Sequence, residues 1–220
     1  IQPEDTLTIE PGVEVYLDND VRMDVYGALF AQGTVTDSIL FSKYDDYWFS
    51  INFSSLANDN SILDYCIIDG AANSGSSPYY GSINANESHP TITNCTIKYN
   101  GQNNDHDHDD HGRTSCHGIQ LTASNAIVEN NVFKHIIGTG IRSEGGGSPR
   151  IKNNVLDEIY GAAGIYLADG NSSIISGNVL SDVTGTGINV NTHDSVLVAS
   201  NILTGISGNG ISISGSDHFN

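Results

Sequence analysis

The sequence predicts an all-β fold in which short parallel strands wind into a solenoid, a parallel β-helix. Two repeated motifs carry this prediction. An Asn before two apolar residues recurs in steps of 23, 24 and 23 residues, at Asn131, Asn154, Asn178 and Asn201. A Gly-Ile pair recurs in similar steps, at Gly118, Gly140, Gly164, Gly187 and Gly210. Repeats this short can bury their apolar faces only against neighbouring repeats.

The residues around the Gly-Ile pairs indicate strands rather than helices. In segments 164–167, 187–190 and 210–213, apolar and polar residues alternate, as expected for half-buried strands. Gly, Asn and Ser interrupt the chain too often for helices. Stacked coils pair like strands in parallel, about 4.8 Å apart. We therefore expect one domain over residues 1–220, with about eight to nine coils.

The repeated Asn suits a tight turn inside the solenoid. Asn tolerates left-handed backbone angles, and its amide both donates and accepts hydrogen bonds. We expect the four Asn side chains to stack and to bond along the axis. Aligned backwards, Cys66 and Cys95 occupy the same column on adjacent coils. Two buried free thiols are the favoured interpretation, and a disulfide is the alternative.

These motifs resemble the right-handed parallel β-helix (pectin-lyase-like) superfamily. The opening segments Ile9–Val13, Val25–Thr34 and Ile39–Phe41 are similar to the first coils of secreted and surface β-helix repeat proteins of bacteria and archaea. The resemblance covers nearly the whole chain and implies a right-handed coil. It does not settle the function, because this fold carries many functions.

Spacing also predicts how the chain is organised. Residues 1–42 are expected to form N-terminal capping coils, and residues 43–220 regular coils. Insertions at 71–80 and 102–115 enter the same strand column, so both loops should project from one side. The chain shows no C-terminal capping helix. We expect either that it is a fragment or that another subunit covers its last coil.

Composition excludes several partners. The net charge is −18, with 8 Lys and Arg against 26 Asp and Glu. Nucleic acid is not expected as a ligand, because phosphate binding needs basic patches. No apolar run is long enough to span a bilayer, so membrane insertion is not expected. An acidic surface attracts cations and keeps a protein soluble. Nothing in the sequence indicates an organic cofactor.

A cluster of His and Asp within the second insertion is a candidate metal site. Its candidate ligands are His106, Asp107, His108, Asp109, His111 and, shortly after the cluster, His117. Imidazole with carboxylate suits Zn²⁺, Cu²⁺ or Ni²⁺, whereas Ca²⁺ would use carboxylates alone. The alternative is a solvated acidic loop that binds metals only adventitiously.

Alternation places a polar row on the outer surface of the Gly-Ile strands. Its candidate carbohydrate-binding residues are Gln120, Arg142, Tyr166 and Asn189, with Ser212, Asn52 and Asn84 extending the row and Glu144 and Asp169 beside it. No catalytic set is assigned. An enzyme would use Arg142 to neutralise a uronate carboxylate and Tyr166 or His117 as acid or base. The alternative is an ordinary hydrated sheet.

The favoured function is a secreted or cell-surface structural or adhesive module, with a surface polysaccharide or its own copies as partners. Copies stacked end to end would form filaments or layers. The first alternative is a polysaccharide lyase or related enzyme acting on an anionic glycan. The second is an extracellular metal-binding protein.

Overall fold

A computed structural model describes residues 1–72, 81–101, 115–192, 194–215 and 218–219. Its strands form three sheets, and every strand pair within them is parallel. The described residues contain no helix, and therefore no helix long and apolar enough to cross a membrane. The architecture is therefore a parallel β-helix, as the sequence predicts.

Strands of the three sheets alternate along the chain. Sheet A has the spatial order β1 (Thr6–Ile9), β4 (Ala28–Gln32), β7 (Ile62–Asp64), β10 (Thr91–Thr93), β13 (Ile127–Glu129), β16 (Arg150–Lys152), β19 (Ser172–Ser176), β22 (Ser195–Ala199) and β25 (His218–Phe219). Sheet B has the order β2 (Glu14–Leu17), β5 (Ile39–Lys43), β8 (Cys66–Asp69), β11 (Thr96–Asn100), β14 (Val132–Ile136), β17 (Val155–Ile159), β20 (Val179–Val183) and β23 (Ile202–Ile206).

Sheet C has the order β3 (Arg22–Val25), β6 (Ser50–Phe53), β9 (Gly81–Asn86), β12 (His117–Thr122), β15 (Ile141–Glu144), β18 (Ala163–Ala168), β21 (Thr186–Asn191) and β24 (Ile211–Ser214). Each coil contributes one strand to sheet A, then B, then C. The described chain thus contains eight coils and the first strand of a ninth.

Apolar side chains from the three sheets fill the interior. The inward Ile residues of sheet C are fully buried at Ile119, Ile141, Ile165 and Ile188. Ile211 continues this row but is 49% exposed, because β24 is the edge strand of sheet C. The alternation read from the sequence therefore gives the correct inward face.

Close packing explains why Gly precedes each of these four buried Ile residues of sheet C. A Cβ atom on Gly164 would lie 2.6 Å from Leu180 Cδ2, and one on Gly140 would lie 2.6 Å from Leu156 Cδ2. Gly118 meets Phe133 in the same way. The column of Gly thus makes room for the large apolar residues of sheet B.

The predicted Asn column is confirmed as a hydrogen-bonded ladder, here called the Asn column: Asn131, Asn154, Asn178 and Asn201. Asn154 shows the pattern: its Nδ2 donates to Asn178 Oδ1 at 3.0 Å and to Val128 O at 2.9 Å. Its Oδ1 accepts from the backbone amide of Asn131 at 2.9 Å and from Asn131 Nδ2 at 3.0 Å. The side-chain amides of Asn131, Asn154 and Asn178 each join three successive coils in this way.

Cys95 extends this column, since its backbone amide donates to Asn131 Oδ1 at 2.9 Å. Cys66 lies opposite Cys95 on the preceding coil, because Ile67 pairs with Thr96. Both thiols are free and buried, as the favoured interpretation expected. Burial raises the pKa of the Cys95 thiol well above its ordinary value, and the neighbouring Cys66 adds to this. At neutral pH the thiol is therefore protonated.

Candidate functional site

One row of outward positions runs along sheet C from its first strand to its last. Pairing registers align its members across successive strands, and we call this set the outward row: Asp24, Asn52, Asn84, Gln120, Arg142, Tyr166, Asn189 and Ser212. Parallel pairing spaces its members by about 4.8 Å. The row therefore offers a line of differing side chains parallel to the solenoid axis.

The first part of the outward row is more enclosed than the sequence implies. Asn52 and Asn84 are each 2% exposed and Gln120 is 5% exposed. Asn52 donates to Asp24, and both ends of the Asn84 amide bond to the backbone of Gly81. Asn52 Oδ1 and Gln120 Oε1 are buried without a hydrogen-bond partner. Burial therefore closes this part of the row to a ligand, and the accessible part begins near Arg142.

Arg142 and Tyr166 form the centre of the accessible part. The guanidinium carbon of Arg142 lies 4.5 Å from the centre of the Tyr166 ring, in a cation–π arrangement. Both side chains are half-buried. Their strands β15 and β18 pair directly, which places the two residues in register. The guanidinium of Arg142 and the ring of Tyr166 therefore lie side by side on the outer face of sheet C.

Glu144 completes this centre from two positions along β15. Its Oε2 accepts from Arg142 Nη2 at 2.8 Å, and its Oε1 accepts from Gln120 Nε2 at 3.2 Å. Residues two apart on a strand share a face, so the sequence already carried this signal. Sequence reasoning placed Glu144 near the strand end but missed its pairing with Arg142.

His117 begins β12 and lies close to this centre. Its Nδ1 accepts the backbone amide of Thr139 at 2.9 Å. Burial, and secondly the positive charge of Arg142, lower the pKa of His117 to about 4. The imidazole is therefore neutral at pH 7, with its proton on Nε2. The structure thus brings His117, Arg142 and Tyr166 to one region of sheet C.

Asn189 lies beyond Tyr166 and is half-buried. Asp169, named with the row as a neighbour, follows the end of β18 and accepts from Thr192 Oγ1 at 2.6 Å. The carboxylate of Asp169 is thus engaged outside the outward row. Gln120, Arg142, Tyr166 and Asn189 remain as the continuous set on four adjacent strands.

Most of the candidate metal ligands lie outside the described residues: His106, Asp107, His108, Asp109 and His111. His117 is described. Its Nδ1 accepts the Thr139 amide and its Nε2 carries the proton, so ligation through either nitrogen would break that hydrogen bond. Within the described ranges, no three His, Cys, Asp or Glu side chains come together as a metal site would require. Cys116 beside His117 is fully buried, which raises its pKa to about 12 and keeps it a thiol.

Comparison with known proteins agrees with the architecture. Residues 114–220 match the family model described as "Right handed beta helix region". Residues before this match form the first strands of the same three sheets. Neither the curated proteins nor the solved structures compared with the chain gave a match.

Proposed function

We propose that this right-handed parallel β-helix is a carbohydrate-binding module that acts in adhesion, outside the cell or at its surface, without catalysis. The observation that carries the proposal is the Arg142–Tyr166 pair, aligned with Gln120 and Asn189 on adjacent strands of sheet C. The fold itself is compatible with many functions, so only these side chains support the proposal.

The chemistry of the four residues suits a sugar. Asn189 carries an amide donor and acceptor, and Arg142 carries a planar set of donors. Gln120 is nearly buried and contributes by donating to Glu144 beside Arg142. Tyr166 adds an apolar ring surface with a polar hydroxyl. A chain of sugar rings offers both kinds of surface, hydroxyl groups and apolar C–H faces. A row on four parallel strands would contact such a chain at several successive rings.

Catalysis by β-elimination is less well supported by the same residues. A base needs an available lone pair, but the Nδ1 lone pair of His117 accepts the Thr139 amide. The pKa of His117, about 4, also lies well below neutrality. Arg142, which would neutralise a uronate carboxylate, is already paired with Glu144. A lyase therefore remains the alternative, with Tyr166 as its remaining candidate base.

Affinity electrophoresis through gels containing single polysaccharides would test the proposal. We expect the protein to be retarded by at least one polysaccharide, and Tyr166→Ala to lose most of that retardation. Tyr160→Ala is the matched control, because Tyr160 is 40% exposed and follows β17 of sheet B. Equal retardation of both variants would place binding elsewhere. Release of unsaturated sugar ends would instead support the lyase.

Metal binding by the His and Asp cluster also remains a proposal, supported by the composition of residues 105–111. Elemental analysis of chelator-washed and re-equilibrated protein tests it directly. A stoichiometric metal would support the site, and its absence would leave an acidic loop. Stacking of copies end to end stays a prediction that the mass in solution can check.

A further inference from the structure

We propose that Glu144 makes the site selective for uncharged polysaccharides, by compensating the one positive charge in the outward row. This inference rests on the proposed carbohydrate binding and names the class of ligand. It also differs from the anionic glycan that the sequence analysis names for the lyase alternative. The role assigned to Glu144 is that of a specificity residue that positions and neutralises Arg142.

The geometry gives one carboxylate two functions. Glu144 Oε2 is 2.8 Å from Arg142 Nη2, and Glu144 Oε1 is 3.2 Å from Gln120 Nε2. The side chains of Arg142 and Glu144 are 30% and 35% exposed. Both members of the pair thus remain within reach of a ligand. The pair presents donors and an acceptor together while its net charge is close to zero.

The negative charge of an acidic ligand would meet little positive charge at the Arg142–Glu144 pair. Arg142 is the only Lys or Arg among the eight residues of the outward row, and its partner is already a carboxylate. A net charge of −18 adds a repulsive field around the whole chain. A polyuronate would therefore have to compete with Glu144 for the guanidinium.

An uncharged sugar can bind to the Arg142–Glu144 pair without displacing either side chain from the other. Neighbouring hydroxyl groups can donate to Glu144 and accept from Arg142 at the same time. Gln120 Oε1 is a buried acceptor without a hydrogen-bond partner, in a residue that is 5% exposed. Burial keeps this oxygen out of a ligand's reach, so Gln120 acts through the hydrogen bond that its Nε2 donates to Glu144. The Arg142–Glu144 pair therefore offers both donors and an acceptor to neighbouring hydroxyl groups, whereas the carboxylate of a uronate would be repelled by Glu144.

Glu144→Gln tests this selection with little change of shape. The variant removes the negative charge and leaves Arg142 uncompensated. Glu129→Gln is the matched control, because Glu129 pairs with Arg150 at 3.0 Å on sheet A and its loss changes the net charge equally. Both variants and the unmodified protein would be titrated with a soluble uncharged glucan, a galactomannan and a polygalacturonate at two salt concentrations.

We expect the unmodified protein to bind an uncharged polysaccharide in preference to polygalacturonate. Glu144→Gln should bind polygalacturonate roughly fivefold more tightly than Glu129→Gln does, as expected for a newly available, partly exposed charge. High salt should remove that gain. Urea unfolding of the three proteins would establish that all are folded.

Two results would overturn the inference while leaving carbohydrate binding intact. One is a preference of the unmodified protein for polygalacturonate. The other is equal polygalacturonate binding by Glu144→Gln and Glu129→Gln while the uncharged polymer still binds. Absence of binding by the folded proteins to all polymers in the panel would overturn both this inference and the proposed function.

Discussion

The Asn column and the outward row of sheet C run along the same solenoid, but they are built by opposite rules. The column repeats one residue on four successive coils, and each amide bonds to the next. The outward row changes at nearly every coil, from carboxylate to amide, guanidinium and phenol. Repetition is found where coils contact each other, through hydrogen bonds in the Asn column and through packing in the rows of Gly and Ile. Variation is tolerated on the outer face, and there we place the proposed ligand site.

This comparison predicts the largest loss of stability inside the column. Asn154→Ala would leave Val128 O and the Asn131 amide without their partners in a buried place. We expect the free energy of unfolding to fall by about 3 kcal/mol. Urea denaturation measures it, with Asn209→Ala as the control, since Asn209 is exposed and should cost less than about 0.5 kcal/mol. Equal losses would show that the ladder contributes no more than a surface amide.

A smaller loss is expected in the Gly column. Gly164→Ala would force a Cβ atom to within 2.6 Å of Leu180 Cδ2, and overpacking of this kind costs about 2 kcal/mol. Gly210→Ala is the control, because no atom lies within 4 Å of the corresponding Cβ position. Thermal unfolding of the two variants would measure the difference. A destabilised Gly210→Ala beside an unaffected Gly164→Ala would contradict the packing argument.

His117 should make the stability of the protein depend on pH, because its pKa is lowered in the folded state. Its pKa is about 4 in the folded protein and about 6.5 in an unfolded chain. Between these values the unfolded chain binds more protons, so the free energy of unfolding falls as the pH falls from 6.5 to 4. We expect His117 to contribute a loss on the order of 2 kcal/mol.

The variant His117→Asn keeps an acceptor for the Thr139 amide but does not titrate. Urea midpoints at pH 7.5 and pH 4.5 should therefore differ less for this variant than for the unmodified protein. An identical pH dependence in both would show that His117 is not the group responsible.

The smallest effect on stability is expected in the outward row. Tyr166→Ala removes a half-buried side chain whose main described partner is the guanidinium of Arg142. We expect a loss of about 1 kcal/mol, well below that of Asn154→Ala. Differential scanning calorimetry would measure it beside polysaccharide retardation. A loss as large as that of Asn154→Ala would mean that the row is structural and would remove the distinction between the two regions.

Repetition also determines how much of the molecule could be read from its sequence. The inward positions of Ile119 and Ile165, the stacking of Asn131 on Asn154 and the alignment of Cys66 with Cys95 all follow from a constant period. Alignment of the outward row followed from the same period. Because the period is constant, a position that is predicted to face inward in one repeat is predicted to face inward in every repeat.

The contacts within the outward row could not be predicted in this way. Glu144 bonds to both Arg142 and Gln120 because of the side-chain directions at one place, and no repeat specifies them. The 5% exposure of Gln120 likewise depends on its surroundings rather than on alternation. The sequence alone also did not show why Gly repeats before Ile. The reason is contact with Leu180 and the equivalent residues of sheet B.

The central claim is that ligand binding belongs to the outer face of sheet C and not to the repeated interior. An NMR titration of the backbone amides with short oligosaccharides, cut from the polymer that retards the protein most, tests this claim most directly. We predict shift changes concentrated on β12, β15, β18 and β21, with sheets A and B little affected. Shift changes confined to sheet A or sheet B, or no changes on sheet C at saturating ligand, would contradict the account.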